Sequence, residues 1–143
     1  MPMTFLEAPA GIQADAKQRL VAALTAALKT AYADPHDDYR IFLREYAATN
    51  IGQNGMISDA PVGPVYFIEG PPLPDIEARK VLIAELHAAI AAAYWNIANT
   101  AETMILINEY PLENAGSGGR LASEDAAIVA ATVGREALAV TAS

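Results

Sequence analysis

The chain has 143 residues, 53% of them hydrophobic, no cysteine and a formal net charge of −8, which indicates one compact domain with a sizeable core. Nine Lys and Arg against seventeen Asp and Glu leave too few cations for a nucleic-acid surface or for binding to an anionic membrane. The absence of cysteine excludes disulfides and thiolate chemistry, and two isolated histidines, His36 and His87, do not make a metal site.

No membrane-spanning or secretory segment is predicted. No run of the sequence reaches the roughly 18 uninterrupted apolar residues of a membrane helix, and the amino terminus lacks the basic-then-apolar layout of a signal peptide. We therefore expect a cytoplasmic protein.

The first half of the chain predicts a strand, a helix and a second strand. Residues 3–7 form a short strand-like run closed by an Ala-Pro breaker. Apolar residues then recur at helical spacing between residues 15 and 32, namely Leu20, Val21, Leu24, Leu28 and Tyr32. Residues 39–46 return as a strand.

The second half repeats this order and adds a tail. Residues 65–69 and 103–110 predict strands, and Pro74-Asp75 marks the start of a helix because a proline and then an acid suit that position. The expected apolar face of this helix is Ile76, Ile83, Leu86, Ile90 and Ala93. Residues 123–143 predict a third helix, or an arm onto a neighbour, with Ser123 as its cap.

The two halves are copies of one unit. Shifting the sequence by about 62 residues lays residues 2–9, PMTFLEAP, over residues 64–71, PVYFIEGP, and a self-match at one offset indicates duplication. We therefore predict a single domain over residues 1–143, made of one repeat at 2–62, a second at 63–122 and the C-terminal helix at 123–143.

The predicted fold class is α+β. Each strand-helix-strand unit forms a right-handed βαβ motif, so two tandem units give a four-stranded, mostly parallel sheet with two helices on one face, plus the C-terminal helix or arm. The other face would leave apolar residues in water unless a partner covers it. Subunits related by closed rotational symmetry would cover this face for one another, and we predict a homotrimer.

These features together resemble the tautomerase superfamily, specifically its 4-oxalocrotonate tautomerase group in a fused two-unit form. The resemblance rests on the two βαβ units, a proline directly after the initiator methionine, and a glycine-rich hairpin after each second strand. In the first half, the matching positions are Pro35, Arg40, Glu45 and Gly52. The second half adds GSGGRLAS at residues 116–123, which looks like the family's terminal hairpin and tail.

The resemblance implies that Pro2 is the catalytic base once Met1 has been removed. A secondary amine accepts protons well, and an α-amino group titrates well below a lysine side chain, so it can be neutral near physiological pH. Pro64 occupies the equivalent place in the second unit, but its nitrogen is an amide. One site per chain is therefore expected, while the simpler alternative is that Pro2 is only a rigid start to a strand.

Arg40 matches the family arginine that grips a substrate carboxylate and stabilises the developing enolate, a task that suits the guanidinium fork. Its counterpart in the second unit is Met104, which agrees with a single working site. The alternative is a strand arginine that pairs with Asp38 or Glu45.

The sequence also departs from the family. Ile12 stands where the family has a second arginine, and Ile51 stands where it has an aromatic residue near the proline; Ala115 is the counterpart of Ile51 in the second unit. Ser117 replaces the water-activating carboxylate of the dehalogenase and hydratase relatives. We keep Ile51 as a predicted substrate contact and expect a dicarboxylate to bind poorly.

Two further residues are candidate substrate contacts. Asp38 falls where malonate semialdehyde decarboxylases carry a functional aspartate, although aspartates also favour turns because they bond their own backbone. Arg120, after the Gly118-Gly119 turn, could reach a neighbouring site or form an interface ion pair.

The resulting hypothesis is a keto–enol tautomerase for a small 2-oxo acid, with no cofactor and no metal, and with a small carboxylate as its partner. One alternative is a decarboxylase or hydratase of a small 3-oxo or unsaturated acid that uses Asp38. The other is a non-catalytic oligomeric binding protein, since a fold does not guarantee its chemistry.

Overall fold

The computed structural model describes residues 1–57 and 60–142. In chain order the strands are β1 Met3–Pro9, β2 Arg40–Tyr46, β3 Gly52–Gln53, β4 Met56–Ile57, β5 Val65–Gly70, β6 Met104–Glu109, β7 Gly116–Ser117 and β8 Arg120–Leu121. The helices are α1 Ala14–Tyr32, α2 Ile76–Ala93 and α3 Ala126–Ala142.

Four strands form one mixed sheet in the order β2-β1-β5-β6. The pairs β1–β2 and β5–β6, one in each unit, are parallel, whereas β1 and β5 run antiparallel with Phe5 opposite Phe67. The prediction of two βαβ units in a mostly parallel sheet is confirmed. Because the units meet antiparallel, the first residues of β1 lie beside the last residues of β5.

The core lies between the sheet and the pair α1 and α2. The predicted face of α1 is confirmed in its main residues, since Leu20, Leu24, Leu28 and Tyr32 are buried. On α2 the buried row is Leu82, Leu86 and Ile90. From the sheet, β1 and β5 contribute the buried side chains Thr4, Leu6, Ala8, Tyr66 and Ile68.

Two residues predicted on the apolar face of α2 are not in the core. Ile76 is 62% exposed and Ile83 is 39% exposed, so that part of the prediction was wrong. Both lie about 100° to 120° around the helix axis from Leu82. Leu82 is the first residue of the row that packs on the sheet, so Ile76 and Ile83 lie to the side of that row. The helix start itself was predicted well, because Asp75 caps α2 by accepting a 2.8 Å hydrogen bond from the backbone nitrogen of Ala78.

The tail is a helix that packs back on its own chain. Arg135 donates a hydrogen bond to the backbone oxygen of Tyr32, at the end of α1. The cap of α3 is Asp125, which accepts from the backbone nitrogens of Ala127 at 3.0 Å and Ile128 at 3.1 Å; the predicted cap, Ser123, lies in a preceding 3₁₀ turn. The end of the predicted segment, residue 143, lies outside the described residues. Within 1–57 and 60–142, no helix combines the length and the apolar character needed to cross a bilayer.

The sheet face opposite α1 and α2 carries an apolar row across its middle. Phe5 lies opposite both Phe42 and Phe67, and Phe67 lies opposite Leu106, so these four side chains form one row across the sheet. The rings of Phe5 and Phe42 stack with centroids 5.2 Å apart. Phe42 is 45% exposed and Leu106 is 40% exposed. We call this row the open face, and an exposed apolar row of this kind is typical of an interaction surface.

Candidate active site

A cavity of about 280 Å³ lies at the end of the sheet where β1 and β2 begin and β5 and β6 end. Its first-unit lining includes Pro2, Asp38 and Arg40, and its second-unit lining includes Glu69, Tyr110 and Ser117. Both units line the cavity because β1 and β5 pair antiparallel, which brings the end of the second unit next to the start of the first. Three residues selected from the sequence, Pro2, Asp38 and Arg40, therefore meet in one cavity.

Pro2 is buried at the start of β1. Its carbonyl oxygen accepts a hydrogen bond from the backbone nitrogen of Arg40 at 3.4 Å, which joins it to the first residue of β2. Met1 precedes it here, so the Pro2 nitrogen is an amide and cannot accept a proton. The Met1 ammonium group forms an ion pair with Asp34, and the Tyr110 hydroxyl donates to the Met1 carbonyl oxygen at 2.7 Å. Met1 is thus held inside the cavity by two contacts.

Arg40 forms a two-pronged ion pair with Asp38. Its Nε lies 3.2 Å from Asp38 Oδ1, and its second terminal nitrogen lies 3.3 Å from Oδ2. The sequence left Asp38 and Glu45 as possible partners of Arg40. The structure shows the pair with Asp38, while Glu45 pairs with Lys17 at 2.7 Å. The Arg40 side chain is 61% exposed, and an ion pair of this kind contributes under about 1 kcal/mol. A ligand carboxylate can consequently replace Asp38 at small cost.

Tyr110 supplies a neutral hydrogen-bond donor. Burial, together with the smaller effect of the negative charges of Asp34, Glu69 and Asp38, raises the pKa of the Tyr110 hydroxyl group to about 12. The hydroxyl therefore keeps its proton at every physiological pH. Glu69 accepts a hydrogen bond from the Asn108 side chain at 2.9 Å. The cavity wall carries two carboxylates, those of Asp38 and Glu69, near the guanidinium group of Arg40.

Solved structures of the same architecture match this chain over most of its length. A fused 4-OT, whose wild type forms an asymmetric trimer, is 30% identical with a TM-score of 0.73, over 85% of this chain and 96% of that chain. The chain belongs to the tautomerase superfamily. Another fused 4-OT, a symmetric trimer, is 21% identical with a TM-score of 0.73, over 86% of this chain and 99% of the other. A malonate semialdehyde decarboxylase inhibited by 3-bromopropiolate shares the fold at 14% identity and a TM-score of 0.64, over 85% and 92% of the two chains.

Comparison with family sequence models and with curated protein sequences finds no match. The statement that this chain belongs to the tautomerase superfamily therefore rests on its match to solved structures.

The duplication seen in the sequence recurs at the other end of the sheet. The carbonyl oxygen of Pro64 accepts from the backbone nitrogen of Met104 at 2.9 Å, as that of Pro2 does from Arg40. Glu7 occupies the place of Glu69 there, and accepts hydrogen bonds from Arg44, at 2.7 Å, and from Tyr46. This end of the superfamily fold therefore has neither a free amine nor an arginine at the place of Arg40.

Ile51 lies away from Pro2 of the same chain. It lines a separate cleft beside Pro9, Tyr46 and Ile97, at the opposite end of the sheet, because the first hairpin follows the end of β2. Ala115, its counterpart in the second unit, lines the Pro2 cavity instead. Within one chain of this tautomerase-like fold, the structure thus does not bring Ile51 together with the predicted base.

Arg120 lies next to the Pro2 cavity rather than in it. It lines an adjoining cavity of about 300 Å³ that shares Met1, Asp38 and Ser117 with the first. The far wall of this second cavity holds His36, whose Nε2 lies 2.8 Å from Asp125 Oδ2. Arg120 is therefore within reach of the mouth of the site, and a direct contact with a ligand bound at Pro2 stays a prediction.

Sequence reasoning missed three lining or neighbouring groups: Asp34, Glu69 and Tyr110. A usable signal existed for two of them, because the repeat aligns Glu69 with Glu7 and Tyr110 with Tyr46. A carboxylate and a phenol thus recur together in both units, which indicates that the two groups occupy equivalent positions near each proline. No comparable signal marks Asp34.

Proposed function

We propose that the mature chain, without Met1, is a cofactor-free keto–enol tautomerase that moves a proton on a small 2-oxo acid. The observation that carries the proposal is the convergence of Pro2, Arg40 and Tyr110 on one cavity of about 280 Å³ in a member of the tautomerase superfamily. Such a cavity suits a small ligand, and the three groups supply a base, a carboxylate clamp and a neutral donor.

In the ketonisation direction, the neutral Pro2 amine accepts the proton of the enol hydroxyl group. The resulting enolate oxygen receives a hydrogen bond from Tyr110, while Arg40 binds the substrate carboxylate. The protonated amine then returns its proton to the carbon next to the carbonyl group, which regenerates the base. No atom is gained or lost over the cycle, and no oxidant or reductant is required.

The cavity favours a substrate with a single carboxylate. Ile12, at the position of the family's second arginine, is 8% exposed and belongs to the hydrophobic core. Ala115 replaces the aromatic side chain at the cavity wall, which leaves room for a bulky apolar substituent. Phenylpyruvate, with one carboxylate and an aromatic ring, is therefore a suitable test substrate.

The proposal is tested by measuring ketonisation of the enol of phenylpyruvate on protein whose intact mass proves that Met1 is gone. We expect a rate well above that of buffer, saturable in substrate. Mature protein that gives only the buffer rate would favour the non-catalytic alternative.

A decarboxylase or hydratase is the second candidate. Asp38 lines the cavity beside Arg40, and a solved malonate semialdehyde decarboxylase has the same fold. However, both oxygens of Asp38 already bind Arg40, which limits Asp38 as a proton carrier. Release of CO₂ from malonate semialdehyde, abolished in Asp38→Asn, would support this candidate over the tautomerase.

We further propose that the chain forms a homotrimer through the open face, as two similar fused 4-OT proteins are trimers. Light scattering at micromolar concentration should give the mass of three chains. Phe42→Lys should dissociate the particle, because it would bury a charge in an apolar contact. The control is Val81→Lys, at a similarly exposed apolar position on α2, which should leave the trimer intact. A monomeric wild type would refute this assembly.

A further inference from the structure

Asp34 is a fully buried carboxylate next to the amino terminus. It follows the left-handed residue Ala33, which ends α1, and its side chain is 0% exposed. Asp34 Oδ1 accepts a hydrogen bond from the backbone nitrogen of His36 at 2.8 Å. Its own backbone nitrogen donates to the Tyr39 hydroxyl group at 2.8 Å. The loop is thus fixed with the second carboxylate oxygen on the ammonium group of Met1, a residue that lines the cavity.

That second oxygen depends on a single partner. Within residues 1–57 and 60–142, Asp34 Oδ2 has no hydrogen-bond donor other than the Met1 ammonium group, with which it forms an ion pair. A buried carboxylate without a positive partner is strongly unfavourable. The negative end of the α1 dipole, two residues before Asp34, adds to this cost.

Removal of Met1 takes this partner away and creates a new one. The new amino terminus is the Pro2 amine, one residue further along the chain and already in the wall of the same cavity. Arg40, the cationic side chain in the wall of this cavity, is already bound by Asp38.

We propose that Asp34 is a positioning residue of the mature site, whose buried carboxylate accepts a hydrogen bond from the Pro2 amine and stabilises its protonated form. This inference rests on the proposed function for the removal of Met1 and for the role of Pro2. In the tautomerase cycle, Asp34 holds the amine in place and stabilises the prolinium ion between the two proton transfers. It takes up no proton itself.

The charges around the amine determine the direction of the effect. Asp34, Asp38 and Glu69 are negative, Arg40 is positive but paired, and Tyr110 is neutral. A nearby carboxylate favours the charged form of an amine, so it raises the pH at which the amine loses its proton. The acidic limb of the rate profile should therefore move to lower pH when Asp34 is neutralised.

The test is an NMR titration of mature protein labelled with ¹⁵N-proline, which follows the Pro2 nitrogen directly. Asp34→Asn should lower the midpoint of this titration by about one pH unit or more. The matched control is Asp37→Asn, in the same loop, whose side chain is 67% exposed and pairs with Lys29; it should change the midpoint by a few tenths at most. Equal shifts in both variants, or none in Asp34→Asn, would overturn the proposal.

A measurement on the unmodified sequence guards against a variant that does not fold. In mature wild-type protein, the ¹³C signal of the Asp34 carboxylate should show a step at the pH where Pro2 titrates. Absence of that step would also overturn the proposal. Neither titration requires turnover, so coupled titrations in a protein without tautomerase activity would refute the proposed function and leave the role of Asp34 standing.

Discussion

Pro2→Ala should lower kcat/KM for ketonisation of the phenylpyruvate enol about 10²-fold or more, the usual scale for a positioned acid–base group. The variant still has a free amine after Met1 is removed, so the expected loss comes from the secondary amine and from the ring. The ring matters because it fixes the nitrogen at a buried strand start, where Pro2 is held by Arg40. A primary amine on a freely rotating backbone samples other directions and meets the substrate proton less often.

Two controls test whether the loss is specific to the Pro2 amine. Pro64→Ala alters the equivalent proline of the second unit, whose nitrogen is an amide, and should leave kcat/KM unchanged. Protein that retains Met1 should fall to the buffer rate, because acylation removes the basic nitrogen. Each form must first show the wild-type melting temperature and mass by light scattering. Full activity in Pro2→Ala would end the assignment of Pro2 as the base.

Arg40→Ala should lower kcat/KM about 10- to 100-fold, which corresponds to the loss of a charge-assisted hydrogen bond to the substrate carboxylate. The effect has a second source, since the variant frees Asp38 to repel the same carboxylate. Arg40→Lys should recover only part of the rate, because a point charge cannot reproduce the planar fork. Steady-state kinetics on the mature protein give the comparison.

The matched control is Arg44→Ala. Arg44 lies on the same strand, is 51% exposed and binds a carboxylate, that of Glu7, at 2.7 Å. It also lies over the Phe5 ring at 4.5 Å, far from the Pro2 cavity. A selective loss in Arg40→Ala with normal melting supports the clamp, whereas equal losses in the two variants point to a general electrostatic effect. Unchanged kinetics in both variants would show that Arg40 only forms a surface ion pair with Asp38.

Local patterns were sufficient to predict the units of this fold. The spacing of Leu20, Leu24 and Leu28 is a property of one helix and can be read directly from the chain. The repeat likewise located both prolines and the asymmetry between Arg40 and Met104. These features depend on neighbours in sequence, or on a copy of the same sequence.

Features that depend on how distant segments meet were not predictable in the same way. Strand periodicity contains no information on whether β1 and β5 run parallel or antiparallel, yet that direction places Ala115 rather than Ile51 beside Pro2. Burial of Asp34 likewise depends on the amino terminus folding back against the loop after α1. Its sequence context, next to Pro35, is that of an ordinary exposed turn.

The antiparallel junction of the two units has an evolutionary consequence. In a protein assembled from identical single-unit subunits, one substitution in the gene appears in every subunit. It therefore changes every base or every hairpin of the assembly at the same time. Here the proposed base, Pro2, belongs to one half of the gene, whereas Tyr110, Ala115 and Ser117 of the cavity wall belong to the other. Changes in the second half can therefore adapt substrate preference while the half that encodes Pro2 is inherited unaltered.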